Sequence, residues 1–369
     1  MTGPLRIGVV GAGNISGEYL RTLSRAPGVR PVLVATRRAE QARAAAARFP
    51  GVRAADLPEL YASDEVDLVL DLTTPGARPE VSRAAIAAGK HLYGEKPLAL
   101  STADARSVLT AAADAGVRVG CAPDTVLGTG IQTARACVER GEIGAPVAAT
   151  AFMTTPGHER WHPDPEFYYR PGGGPLLDMG PYYLTALVLM LGPVRRVTGL
   201  ASAPRRTRTI GDGPRAGTTF PVEVATHVSG VLEHGSGALS TLMMSFDVWD
   251  STLPRIEVYG TDGTLSVPDP NSFTGDVRVR RAGDPAWHTA PVLGGYANGA
   301  RGIGVVDMAR ALAAGTPHRA SAELAYHVLD VMEALLAATE TGDGRRVDSG
   351  FPLPDPVPAG TRPEDLFPG

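Results

Sequence analysis

The amino-acid sequence predicts an α/β protein: a doubly wound parallel sheet at the N-terminus, then an α+β domain with a mainly antiparallel sheet. Three observations lead there. Up to Cys121, apolar runs alternate with helical patterns, which argues for βαβ units and parallel strand pairing. The first apolar run passes straight into a glycine-rich turn, Gly11-Ala12-Gly13-Asn14-Ile15-Ser16-Gly17. After Cys121 the rhythm changes to short strand-like segments separated by turn residues, the pattern of antiparallel pairing. A chain of 369 residues exceeds one ordinary core, so more than one domain is expected. The change of texture puts the boundaries at 1–122, 123–345 and a Pro-rich extended tail over 346–369.

In order, Leu5 to Val10 (LRIGVV) reads as a strand buried on both faces. The glycine turn follows, then a helical pattern from Ile15 to Arg25. Pro31 to Thr36 reads as a second strand, Ala39 to Phe49 as an alanine-rich helix and Val66 to Leu72 as a third strand. Pro79 to Ala88 forms a helix ended by Gly89, and His91 to Gly94 a strand leading into Glu95-Lys96-Pro97. A helix from Ala103 to Ala115 and a strand from Val117 to Cys121 close this half. Beyond it, Gln132 to Arg140 reads as a helix, Val147 to Met153 as a strand, and Thr154 to Gly174 as a long loop without periodicity. Leu176 to Leu191 is helical; Val222 to Leu232 and Ala238 to Phe246 read as paired strands. Ile256 to Tyr259, Thr264 to Val267 and Val277 to Arg281 add strands, and two helices follow at Val305 to Ala314 and Ala322 to Glu340.

Composition excludes several functions. Net charge is −4 with scattered basic residues, so no nucleic-acid or polybasic membrane surface is expected. Two cysteines, Cys121 and Cys137, lack any metal-ligand spacing, which argues for a reducing, cytoplasmic setting without disulfides or structural zinc. No signal peptide is read at the N-terminus, and no apolar run reaches the roughly 18 residues of a membrane span.

Gly11-x-Gly13-x-x-Ser16 sits between a strand and a helix, the context a dinucleotide turn requires. Gly11 permits the tight turn, and Gly13 lets the backbone approach a pyrophosphate on the helix N-terminus, with Ala12, Asn14 and Ile15 lining it. The next strand ends Ala35-Thr36-Arg37-Arg38 with no acid for ribose hydroxyls. Thr36 and two guanidiniums suit a 2′-phosphate, so NADP(H) is preferred and NAD(H) remains possible. Thr73-Thr74-Pro75 ends the third strand and should flank the same cofactor. In the second half, Gly172-Gly173-Gly174 leads to a helix carrying Asp178 and Tyr182, four apart and so on one face. With Lys96 they could complete a proton-transfer site. His158, Trp161, His162 and Tyr169 in the preceding loop, and Asp124, are candidate substrate contacts. A zinc site is not expected, since no third ligand joins the two histidines.

These motifs, in this order and with Ala88-Gly89-Lys90-His91 before Glu95-Lys96-Pro97, resemble the glucose–fructose oxidoreductase / inositol dehydrogenase / rhizopine catabolism (Gfo/Idh/MocA) oxidoreductase family over residues 5–340. The resemblance implies a Rossmann domain, then a domain whose open, mainly antiparallel sheet serves homo-oligomerisation, as a dimer or tetramer. It also implies NAD(P)-dependent redox chemistry on a sugar, nucleotide-linked sugar or cyclitol. It places the family's lysine on Lys96, with a cis bond before Pro97, its acid on Asp178, and Glu95 beside lysine and nicotinamide. The family's usual histidine falls on Tyr182, a departure shared with a tyrosine-containing branch. Pro79 and Asp124-Thr125 are further departures. Either Tyr182, with its pKa drawn down by Lys96⁺, or Lys96 itself serves as acid/base. Two other functions compete: a glycosidase working by transient NAD⁺ oxidation and elimination, and a non-catalytic nucleotide-sensing protein.

Overall fold

The computed structural model describes residues 3–366; the ends of the predicted first domain and tail, residues 1–2 and 367–369, lie outside the described residues. The chain forms two compact units, each assembled from separate segments. The first comprises 1–132, 292–326 and 354–369, and the second 133–291 and 327–353.

The first unit is built on a six-stranded parallel sheet of order β3-β2-β1-β4-β5-β6. Its strands are β1 (Leu5–Val10), β2 (Val29–Ala35), β3 (Arg53–Ala55), β4 (Leu68–Asp71), β5 (His91–Gly94) and β6 (Val119–Cys121). The helices between them are α1 (Ser16–Leu23), α2 (Ala39–Ala46), α3 (Leu57–Ala62), α4 (Arg78–Ala87) and α5 (Thr102–Asp114). Ile7, Val9, Leu33, Val34, Leu68, Val69 and Leu70 are fully shielded, as strands covered on both faces require. The order reverses between β1 and β4, which makes their carboxyl ends the place for a ligand. The short β3 and α3 carry too few periodic residues to stand out in the sequence. Later chain returns to this unit: Cys121 N–H donates to Ala320 O (3.0 Å), and Val357 N–H to Gln132 Oε1 (2.9 Å).

α6 (Thr129–Glu139) leads to β7 (Pro146–Thr154). The second unit continues with α7 (Pro175–Leu191), β8 (Val194–Ser202), β9 (Thr207–Thr209), β10 (Thr219–Pro221), β11 (His227–His234) and β12 (Leu239–Ser245). β13 (Ile256–Gly260), β14 (Gly263–Val267), β15 (Arg278–Arg281) and β16 (His288–Thr289) follow. After α8 (Ile303–Ala314) and α9 (Ala322–Thr341) comes β17 (Arg345–Arg346). Its nine-stranded sheet runs β16-β15-β14-β13-β7-β12-β11-β8-β17 and is antiparallel except for β7 beside β12. Val222 to Thr226, expected within a strand, precede β11 instead. β8 was not expected from the sequence. The register of β8 against β11 slips at Glu233/His234, so Arg195 and Arg196 are both exposed and the alternation that marks a strand is broken. α7 and α9 cover one face of the sheet. The other turns Leu200, Val231 and Leu239 outward, Leu200 with 72% of its surface exposed. Among the described residues no helix is long and apolar enough to cross a membrane.

Candidate functional site

In the first unit, the residues singled out from the sequence converge on the carboxyl ends of β1, β2, β4 and β5. Gly11 follows β1 with φ of +102°, and a Cβ there would lie 2.9 Å from the Leu72 carbonyl. A side chain is excluded both by backbone strain and by backbone contact. Gly13 is exposed, with nothing within 4 Å of where a Cβ would stand. Ser16 donates from Oγ to Gly13 O (2.7 Å) and is buried, holding the turn to the start of α1. After β2, Thr36 Oγ1 donates to Arg38 O (2.6 Å), and Arg37 and Arg38 stand exposed.

β4 ends in Asp71, whose Oδ1 accepts from Thr73 N–H (2.9 Å) and Thr73 Oγ1 (2.6 Å), fixing the 73–75 loop. Burial pushes the Asp71 carboxyl up, against the opposing pull of Arg78. Arg78 is 4% exposed and donates to Pro97 O (2.5 Å) and Thr73 O (3.1 Å). One guanidinium thereby joins the Thr73 loop to the lysine turn. The Lys96–Pro97 peptide is cis. Glu95 Oε1 accepts from Tyr19 Oη (2.7 Å) and Oε2 from Lys96 N–H (3.1 Å). Burial, then Glu95, push the Tyr19 phenol well above its ordinary value, so it remains the donor. Asp124 is fully buried; its Oδ2 accepts from Gly302 N–H (2.7 Å) and Gly304 N–H (3.2 Å) at the start of α8. Burial pushes its carboxyl up to about 6. One oxygen of its carboxylate is thus committed to that helix start.

This edge fits a dinucleotide. Gly11 lets the chain turn against Leu72, Gly13 leaves backbone uncovered, and α1 presents its positive end there. Thr73, Glu95 and Lys96 stand one and two strands along from β1. Cys121 does not supply a nucleophile: burial raises its thiol to about 12.

In the second unit, Gly173 brings the chain to α7. A Cβ at Gly173 would lie 2.5 Å from Phe167 O, and Gly174 N–H donates to Tyr168 O (2.7 Å). The loop thus doubles back against the start of the helix that carries Asp178 and Tyr182. Asp178 Oδ2 lies 3.0 Å from His158 Nε2, with both side chains largely shielded. The His158 ring packs against Trp161, Tyr168 and Phe246, with centroids 5.3, 4.6 and 4.5 Å away. Trp161 is 55% exposed; His162 Nδ1 accepts from Asp164 N–H (3.0 Å). Tyr182 lies buried one turn beyond Asp178. Tyr169 is fully buried and donates to Glu159. It contributes to packing beneath the loop rather than to its surface.

Sequence reasoning missed what holds this loop. Arg208 on β9, 3% exposed, donates to Glu159 Oε1 (2.9 Å), to Asp247, and to the carbonyls of Pro156 (3.4 Å) and Phe246 (3.2 Å). Thr226 Oγ1 donates to Asp247 Oδ2 (2.5 Å). Arg78 was missed likewise. No local signal marks either arginine: Arg208 finds its acceptors 38 or more residues away, and Arg78 bonds two main-chain carbonyls, 5 and 19 residues away, that no motif announces. Among the described residues no cluster of three or more His, Cys, Asp or Glu is arranged to hold a metal.

Residues 5–122 match the oxidoreductase family model with an NAD-binding Rossmann fold, and residues 131–266 match a GFO/IDH/MocA C-terminal domain. The chain is 31% identical to 1,5-anhydro-D-fructose reductase of Ensifer adhaerens over 267 residues, 70% of this chain and 74% of the relative. It is 30% identical to dTDP-3,4-didehydro-2,6-dideoxy-alpha-D-glucose 3-reductase of Streptomyces violaceoruber over 301 residues, 76% of this chain and 87% of the relative. Among solved structures, an NAD binding oxidoreductase from Klebsiella pneumoniae superposes with a TM-score of 0.80 at 25% identity, covering 93% of this chain and 99% of that one.

Proposed function

Because the chain belongs to the GFO/IDH/MocA oxidoreductase family, we propose that this NAD(P)-dependent oxidoreductase interconverts a secondary alcohol and a ketone on a sugar, nucleotide-linked sugar or cyclitol. The observation that carries the reading is the placing of Lys96 two residues beyond β5, on the same sheet edge as the Gly11–Ile15 turn and Thr73. That puts the Lys96 main chain at the edge where a dinucleotide would lie in a doubly wound fold, which supports a role for its ammonium there. Gly11, Ala12, Gly13, Asn14 and Ile15 hold the pyrophosphate, and Thr73, Thr74, Pro75 and Glu95 flank the rest of the cofactor. The bound nicotinamide supplies the hydride acceptor or donor. Lys96 donates a hydrogen bond to the reacting oxygen and stabilises its developing negative charge. Tyr182 passes the proton to or from that oxygen, and Asp178 orients the substrate. Trp161 offers an exposed face on which a pyranose can stack.

The pair Arg37-Arg38 after β2 favours the 2′-phosphate of NADP(H), because a guanidinium fork matches phosphate oxygens. Two similar proteins named for reduction of keto-sugars support the carbohydrate class. The outward face of the nine-stranded sheet, with Leu200, Val231 and Leu239, suits a second copy of the chain. A dimer or tetramer in light scattering that dissociates in Val231→Glu would support that interface.

The test of the activity is a substrate panel followed at the nicotinamide absorbance band, with NAD(H) and NADP(H) in parallel. It includes 1,5-anhydro-D-fructose, aldoses, inositols and a dTDP-linked ketosugar. Turnover of at least one member is expected, faster with NADP(H), and abolished by Lys96→Ala. Turnover undiminished in both Lys96→Ala and Tyr182→Phe would reject the assigned roles.

A further inference from the structure

His158 has one nitrogen on Asp178 and the other shut away. Nε2 lies 3.0 Å from Asp178 Oδ2, while Nδ1 is buried and finds no hydrogen-bond partner among the described residues. Trp161, Tyr168 and Phe246 pack around the ring. A general acid/base must reach a reacting atom within hydrogen-bond distance, and this imidazole offers no nitrogen for that. Among the described residues its polar engagement is with the carboxylate, an acceptor that calls for the proton on Nε2. The next residue in the chain is Glu159, buried, bonded by Arg208 and by the Tyr169 hydroxyl. Arg208 also holds the Pro156 carbonyl, two residues before His158. The backbone on both sides of His158 is therefore pinned by a guanidinium that the proposed chemistry does not use.

We propose that His158 is the positioning residue of Asp178, and that the buried Arg208–Glu159–Asp247 cluster fixes His158 for that purpose. The Nε2–H donor holds one carboxylate oxygen, so the Asp178 side chain keeps one rotamer as substrate enters. The elements differ: Asp178 rides on the first turns of α7, and His158 on a loop that folds back upon it where Gly173 leaves no room for a Cβ. This inference rests on the role given to Asp178 above, and its test separates the two.

Turnover of the best substrate in the panel is measured for His158→Phe, His158→Gln, Asp178→Asn and the double variant His158→Phe/Asp178→Asn, with thermal midpoints for each. Phenylalanine keeps the ring packing and removes the donor; glutamine restores an N–H. His158→Phe should lower kcat/KM about tenfold or more, at an unchanged cofactor KM and an unchanged midpoint. His158→Gln should recover most of that loss, and His158→Phe should add nothing to Asp178→Asn. Multiplying losses in the double variant, full turnover in His158→Phe, or no recovery in His158→Gln would overturn the positioning role while leaving Asp178 in place. Full turnover in Asp178→Asn would overturn the role of Asp178 itself. One arm needs no substrate. Long-range ¹H–¹⁵N spectra should show a proton on His158 Nε2. A proton on Nδ1 instead would overturn the pairing.

Discussion

The turn after β1 and the loop between β7 and α7 both present functional groups, and they are held in opposite ways. The first is fixed by backbone: Gly11 at φ +102°, pressed on the Leu72 carbonyl, and Ser16 bonded to Gly13 three residues away. The second is fixed by a buried charge cluster whose members lie far apart in sequence, Arg208 reaching Glu159 across 49 residues and Asp247 across 39. A backbone-coded site tolerates changes in surrounding side chains but not a Cβ at one position. A cluster-coded site cannot lose one charge, and this one adds to that a backbone demand of its own at Gly173.

Breaking the cluster should give the largest effect. Arg208→Leu leaves Glu159 and Asp247 buried without their cation, and about 3–5 kcal/mol of stability should be lost, measured by urea unfolding. An unchanged unfolding midpoint would show the cluster to be dispensable. A second buried group sharpens the same contrast through pH. His327 accepts from Val194 N–H at Nε2 (3.0 Å), so its Nδ1–H donates to Ser349 Oγ (2.9 Å). Burial lowers its pKa from 6.5 to about 4, against the opposing pull of Asp330. The folded state thus binds fewer protons than the unfolded state. The contribution is full above 6.5 and lost as pH falls through about 4, roughly 3 kcal/mol across that window. In His327→Gln this part of the acid destabilisation should vanish; an identical pH profile would contradict it.

The backbone-coded turn should respond less in stability and more in binding. Gly11→Val should weaken NADPH binding about 100-fold, since strain and contact together displace the turn by roughly 3 kcal/mol. Gly13→Val should leave the thermal midpoint unchanged, because its space is open, yet still weaken NADPH. Equal midpoints and equal affinities in both would contradict the assignment of the turn. The smallest effect belongs to Arg37→Ser/Arg38→Ser, where loss of exposed phosphate contacts should weaken NADPH about tenfold and leave NADH unchanged. A parallel loss for NADH would remove the argument for a 2′-phosphate.

What the sequence discloses follows the same division. LRIGVV and VDLVLDL announce their strands because strands covered on both faces are predominantly apolar, Arg6 and Asp67 being paired with each other. The glycine turn is legible because its chemistry is local. β8 is not, since the slip opposite Glu233/His234 interrupts alternation with two adjacent exposed arginines. Asp178 could be picked out by its place on α7, and His158 by its loop. Their 3.0 Å meeting could not be, because it depends on Gly173 folding the loop back and on Arg208 pinning it. Arg78 is legible only as one arginine among many until its two carbonyl acceptors are seen.

Hydride transfer itself is tested most directly by isotope. A substrate from the panel deuterated at its carbinol carbon is turned over with NADP⁺, and the reduced cofactor is isolated. The expected result is one deuterium on the nicotinamide ring per turnover, with a slowed rate for the labelled substrate. Turnover that leaves no labelled reduced cofactor, as transient oxidation followed by elimination would, contradicts a net alcohol–ketone interconversion.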